Sequence, residues 1–165
     1  MRTSILSFLL IPLVAALPSQ ATPRDLTEAE LLEKRNTNEG VYLSNCWFYS
    51  LGDWASEMEY YSNARSGSQH GELPNDTTTL SSTSRVTWEG VQRCGYYSSS
   101  GVTFCSQIAS NAASLVTGQY AGPGWNNAHG FDCYKDNGRV LFRTSSGNFN
   151  QNEECYSIYY CFSQA

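Results

Sequence analysis

Positive charge is in short supply in this chain. Ten lysines and arginines stand against fifteen acidic residues, a net charge of −5. That balance opposes phosphate backbones and anionic lipids, which argues against a general nucleic-acid binder and against a cationic, membrane-lysing peptide. Histidine is scarcer still. His70 and His129 are the two, in neither an HExxH arrangement nor any metal-ligand spacing. GxSxG, the phosphate-binding loop and the dinucleotide-binding glycine pattern are absent. No CxxC pair exists, which argues against zinc. Past the N-terminus there is no long apolar run, so no membrane insertion is expected. Nothing in the pattern requires a cofactor or a metal.

What is present begins with a leader. Arg2 precedes an apolar run from Ile5 to Ala16, broken only by Ser7 and Pro12, with small residues at Ala15, Ala16, Ser19 and Ala21. That order predicts a secretory signal peptide within residues 1–21, cleaved after Ala16 or Ala21, and hence a secreted, extracellular product. Residues 22–35 are acidic and helix-prone, and they end at Lys34-Arg35. This pair resembles the propeptide site of a dibasic-cleaving, kexin-type protease. The expected mature chain, 36–165, is then one domain of 130 residues. A chain of that size buries about two-thirds of its unfolded surface.

All six cysteines lie in the mature part: Cys46, Cys94, Cys105, Cys133, Cys155 and Cys161. In a secreted chain an even count implies disulfides, here with fifteen possible pairings. Asn75-Asp76-Thr77 is a glycosylation sequon in the polar stretch Ser62 to Ser84, which reads as a surface loop.

Short aromatic and β-branched runs alternate with Gly- and Ser-rich breaks, the rhythm of an all-β protein. Val41 to Tyr49 is apolar on both faces, as a central strand would be. Leu51-Gly52-Asp53 reads as a turn, and Trp54 to Tyr61 as a returning strand in preference to a helix. Arg85 to Val91 alternates around Val86 and Trp88. If Ser98 to Gly101 closes a hairpin, Tyr97 faces Val102 and Cys94 faces Cys105, close enough for a disulfide. Cys46 with one of the late cysteines would tie the first strand to the last. Ser106 to Thr117 could hold one short helix. Asp136-Asn137-Gly138-Arg139 has the composition of a type I′ hairpin, which would pair Cys133 with Phe142 and Asp132 with Arg143. Cys155 to Phe162 reads as the last strand, with Cys155 and Cys161 on one face. The expected fold is a small, disulfide-braced antiparallel β-sandwich or partly open barrel.

Chemistry is thinly signalled. RNA cleavage needs a base, an acid and a cation, types supplied by His70, Glu72, His129, Arg139 and Arg143. Gly130-Phe131-Asp132 and Arg139-Val140-Leu141-Phe142 are similar to strand segments of the small secreted fungal guanyl-type ribonucleases, although no histidine follows Arg139 as that family's pattern would require. The competing reading makes Arg143–Asp132 and Arg139–Asp136 cross-strand ion pairs. Glu57 with Glu59, and Glu153 with Glu154, are the carboxylates a glycosidase would use. Asp132 and Asp136 lack calcium-loop spacing.

Aromatics are plentiful: four tryptophans, eleven tyrosines and six phenylalanines in the mature part. Trp47, Trp54 and Trp88 read as core. Trp125 lies in Ala121-Gly122-Pro123-Gly124-Trp125-Asn126-Asn127, read as a loop that is not fully buried, and is expected with Tyr120 to contact a partner. Leader, dibasic site and six cysteines together resemble the small cysteine-rich proteins that fungi secrete. The resemblance implies an effector-like or toxin-like interaction protein, non-enzymatic, acting in virulence or competition on a host or competitor protein or a surface glycan. A secreted ribonuclease, the one reading with a nucleic-acid partner, and a carbohydrate-binding module are the alternatives.

Overall fold

The computed structural model describes residues 38–64, 71–144 and 152–164. The expected signal peptide and propeptide, Lys34, Arg35 and His70 lie outside the described residues. Nine strands follow in order: β1 (Gly40–Phe48), β2 (Asp53–Tyr61), β3 (Asp76–Ser81), β4 (Gln92–Tyr97), β5 (Val102–Gln107), β6 (Tyr120–Trp125), β7 (Gly130–Lys135), β8 (Val140–Arg143) and β9 (Glu153–Ser163). They form one antiparallel sheet ordered β3-β2-β1-β9-β7-β6-β5-β4, with β8 paired to β9. The sheet curls until β3 meets β4 by packing, with Gly95 set against Thr78 and Tyr97 Oη donating to the Met58 carbonyl at 3.2 Å. The all-β expectation holds, in the form of a nearly closed barrel. The helix considered for 106–117 is a single 3₁₀ turn at Ala112–Ser114. No helix among the described residues is long and apolar enough to cross a membrane.

β1 is covered on both faces, as its composition predicts. Val41 and Leu43 point into the barrel with Met58, Trp88, Phe104, Ile108, Phe131 and Tyr159. Tyr42 and Cys46 point outward, under Tyr61, Leu141 and Phe142. Three disulfides brace this arrangement: Cys46–Cys155, Cys94–Cys105 and Cys133–Cys161. Cys94 faces Cys105 in the register expected from the Ser98–Gly101 turn, and Cys46–Cys155 ties the first strand to the last.

Several local expectations fail, each for a tertiary reason. Asp136–Arg139 closes no β7–β8 hairpin. Asp136 N–H donates to the Ile158 carbonyl and Gly138 N–H to the Ser157 carbonyl, each at 3.0 Å, so the chain bulges and continues along the free edge of β9. Gly138, at φ +75°, serves that bulge and not a two-residue turn. Arg143 therefore pairs with Glu154 at 2.7 Å and not with Asp132, while Arg139–Asp136 is a local pair at 3.2 Å. A register shift in β9 opposite Leu43 and Ser44 places Cys155 and Cys161 on opposite faces. The polar stretch read as a loop contains β3, whose three threonines favour a strand. Arg85–Val91 is no strand: one bridge, Glu89 to Ile108, is all it forms, although Trp88 is buried. Trp47 and Trp54 are half-buried cross-strand partners, rings 5.3 Å apart, with the Arg85 guanidinium over Trp54.

The outward face of β1, β2 and β9 also carries buried carboxylates. Burial, then the neighbouring Glu57, pushes the Glu153 carboxyl up to about 7. The same causes, in the same order, raise Glu59 well above the usual range. A carboxyl with a higher pKa in the folded state binds more protons folded than unfolded, so stability falls as pH rises through that window. The melting temperature is expected to fall by about 3–6 °C between pH 5 and pH 8. A Glu153→Gln variant, followed by differential scanning calorimetry, should lose much of that slope; an unchanged slope refutes the assignment.

Candidate functional site

One end of the barrel opens into a cavity of about 470 Å³. Its floor is apolar: Val41, Tyr97, Phe104 and Phe131 are each at most 3 % exposed. Phe104 and Phe131 meet edge-to-face at 5.1 Å, and Tyr60 stands 6.1 Å from Tyr97. These rings face inward because they occupy alternate positions on strands whose other face is outside. Burial holds the Tyr97 phenol well above its usual pKa, so it is neutral.

The rim is polar and acidic. Glu39 sits just before β1, its N-terminal position fixed by Ser163 N–H donating to its carbonyl at 3.1 Å. Tyr60 Oη donates to Glu39 Oε2 at 3.2 Å, and His129 Nε2 lies 3.9 Å from Oε1. His129 is placed by the β6–β7 turn, where Asn126 Oδ1 accepts the backbone N–H groups of Ala128 and His129 at 2.8 and 2.7 Å. Asp76, at the start of β3, accepts a hydrogen bond from the Ser99 hydroxyl of the β4–β5 turn. Asn75 lies on the same rim. Two carboxylates and one histidine thus face the cavity, and no lysine or arginine is among its described lining residues.

The residues picked from sequence fall apart around this site. His129 reaches the cavity, but its carboxylate neighbour is Glu39, not Glu72. Glu72 is exposed, and its backbone carbonyl accepts from Tyr61 Oη at 2.9 Å. Arg139 lies elsewhere, against Asp136 and 5.5 Å from the Tyr42 ring centroid. Trp125 is not in a loop: it ends β6, half-buried, opposite Cys105 and Gly130. Tyr120 is 54 % exposed on the outer face, its ring at 81° to Tyr134. Glu57, Glu59 and Glu153 gather on the outer face of the sheet, away from any cavity described here, whereas Glu154 is held by Arg143 and Tyr49. Asp132 accepts from Gln164.

No family model, curated protein or solved structure matches this chain. The site's meaning therefore rests on its own chemistry.

Glu39 and Tyr60 were missed in sequence, and so was their link to His129. Strand order makes that link, since β1 and β7 flank β9 and bring their starting ends to one mouth. No local pattern records such an adjacency.

Proposed function

We propose that this chain is a secreted, non-enzymatic binding protein, effector-like in type, acting on a host or competitor by capturing a small ligand in the barrel mouth. The ligand has an aromatic or aliphatic body and a cationic or hydrogen-bond-donating head. One observation carries the reading: a ring-lined cavity whose rim holds Glu39 and Asp76, with no lysine or arginine among its described lining residues. The volume lies in the usual range for small-molecule sites, roughly 300–1,000 Å³. Aromatic faces attract a desolvated cation, and the carboxylates add to that attraction.

The His129–Glu39 pair is what favours the ribonuclease alternative, as an acid and a base in one cleft. Against it, phosphoryl chemistry needs a cation for the developing charge, and this rim would repel the substrate. The carbohydrate-binding alternative gains little, because Trp125 is half-buried and the Tyr120 ring stands edge-on to its neighbour.

Calorimetric titration with tryptamine and with indole-3-propionate tests the reading. Tryptamine should bind at least about tenfold tighter than the anion, and Glu39→Gln should remove most of that preference. Equal affinities, or no binding of either probe, would refute an acidic ligand site. RNA cleavage lost in His129→Ala would replace the reading with the hydrolytic one.

A further inference from the structure

The sequon Asn75-Asp76-Thr77 falls at a consequential point of the fold. Asn75 is exposed just before β3 and lines the mouth cavity, with Asp76 beside it. The strands succeed one another around the barrel as β3-β2-β1-β9-β7-β6-β5-β4. That order sets β3 across the opening from β7, and His129 immediately precedes β7. A bulky group rooted at Asn75 therefore faces the Glu39–His129 side of the rim.

The fold employs all three side chains of the triplet and leaves one atom over. Asn75 N–H donates to the Tyr60 carbonyl at 2.8 Å, which fixes the backbone. Asn75 Oδ1 accepts the Ser62 N–H and hydroxyl at 2.8 and 3.0 Å. Asp76 accepts from the Ser99 hydroxyl and so ties the start of β3 to the β4–β5 turn. Thr77 Oγ1 donates to the buried Glu59 at 2.6 Å. Asn75 Nδ2 makes no hydrogen bond among the described residues. With Oδ1 held toward Ser62, the planar amide turns Nδ2 the other way. Nδ2 is the atom that a glycan would occupy, and its root is held on both sides.

We propose that Asn75 carries an N-linked glycan that overhangs the mouth and narrows it to small ligands. The narrowing role rests on the ligand-capturing reading; the placement of the glycan does not. The donor is an oligosaccharide carried on a lipid pyrophosphate. Asn75 Nδ2 bonds to the anomeric carbon, the carbon–oxygen bond to the lipid pyrophosphate breaks, that pyrophosphate leaves, and one amide proton goes to solvent. The folded chain gives up no contact to carry the product, since Nδ2 has none to lose. A glycan is bulky and well solvated. Hung from a root fixed by Ser62 and Ser99, it stays over the opening and slows whatever enters.

The test compares the same oxidised sequence made in a glycosylating secretory host and in a bacterial periplasm, where it stays bare. Peptide mass spectrometry of the first form should find the glycan on Asn75, and an Asn75→Gln variant should lack it. Diethylpyrocarbonate should modify His129 at least about fivefold more slowly in the glycosylated form, with Lys135, at the other end of β7, unaffected. Trimming the glycan to its first sugar should restore most of the His129 rate. Tryptamine should enter the glycosylated form at least about threefold more slowly than the bare one. Thermal melting verifies that both forms are folded. A bare Asn75 in the secreted protein, or equal His129 rates in the two forms, would overturn the proposal. An equal slowing at Lys135 would also overturn it, because the glycan would then act on the whole fold. A bare form that does not bind tryptamine would sink the ligand reading instead, and the His129 rates would still decide where the glycan lies.

Discussion

Replacing Cys46 and Cys155 together by alanine is expected to cost roughly 4–5 kcal/mol, the largest loss of the three disulfides. The pair closes a segment of 109 residues, against 28 for Cys133–Cys161 and 11 for Cys94–Cys105. Cross-linking removes more freedom from the unfolded chain when the loop is longer, so the other two removals should cost about 3–4 and about 2.5–3 kcal/mol. Packing acts in the same direction. Cys46 and Cys155 are wholly buried beneath Leu141 and Phe142, whereas Cys94 is exposed on the outer face of β4. The first removal should lower the melting temperature by about 15–20 °C, the last by about 10 °C. Guanidinium denaturation of the three double variants measures the order directly. Equal costs, or the greatest cost at Cys94–Cys105, would mean that loop length does not govern this fold's stability.

The same comparison shows what local sequence can and cannot encode. The Cys94–Cys105 hairpin was legible because turn, register and cysteine spacing all lie within one short segment. β1 was legible because residues apolar on both faces suit a strand covered on both sides. Asn137-Gly138 misled because its turn chemistry is real but is spent on a bulge. β9 is eleven residues long and offers its free edge to β7 and then to β8. Those pairings are non-local, and no two-residue motif specifies them. Tertiary context overrode a local propensity.

The candidate site was less legible than the fold. His129 was recognisable as a residue type, but its neighbours were sought among Glu72 and the arginines. Glu39 is ninety positions away in the chain, and only the order β1-β9-β7 brings it to His129. The carboxylates on β2 were visible as a pair sharing a strand face. What could not be read was their burial, nor that Glu153 arrives beside them from the opposite end of the chain.

Ala121 to Asn127 carries the most instructive error, and it leads to the second large effect. Gly-Pro-Gly has the composition of a loop, yet Gly122, Pro123 and Gly124 lie inside β6. Gly122 is glycine because another backbone passes over it. A Cβ there would overlap the Gln107 carbonyl oxygen and lie 3.2 Å from the Ile108 Cα. Its φ of +148° adds conformational strain for any L side chain. Gly122→Ala should therefore cost roughly 3–5 kcal/mol, combining overpacking against an unyielding backbone with that strain. Gly118 provides the control: its φ is +84°, but nothing lies within 4 Å of the added methyl. Gly118→Ala should cost only about 1 kcal/mol, the strain alone. Because β5 and β6 pair directly only at Cys105–Trp125 and Ser106–Gly124, the loss at Gly122 should accelerate amide exchange along that seam first. The seam adjoins the Phe104–Phe131 floor of the mouth cavity, so a parted β5 and β6 should also weaken ligand capture. If the two alanine variants prove equally stable, close backbone approach is not what requires glycine at 122.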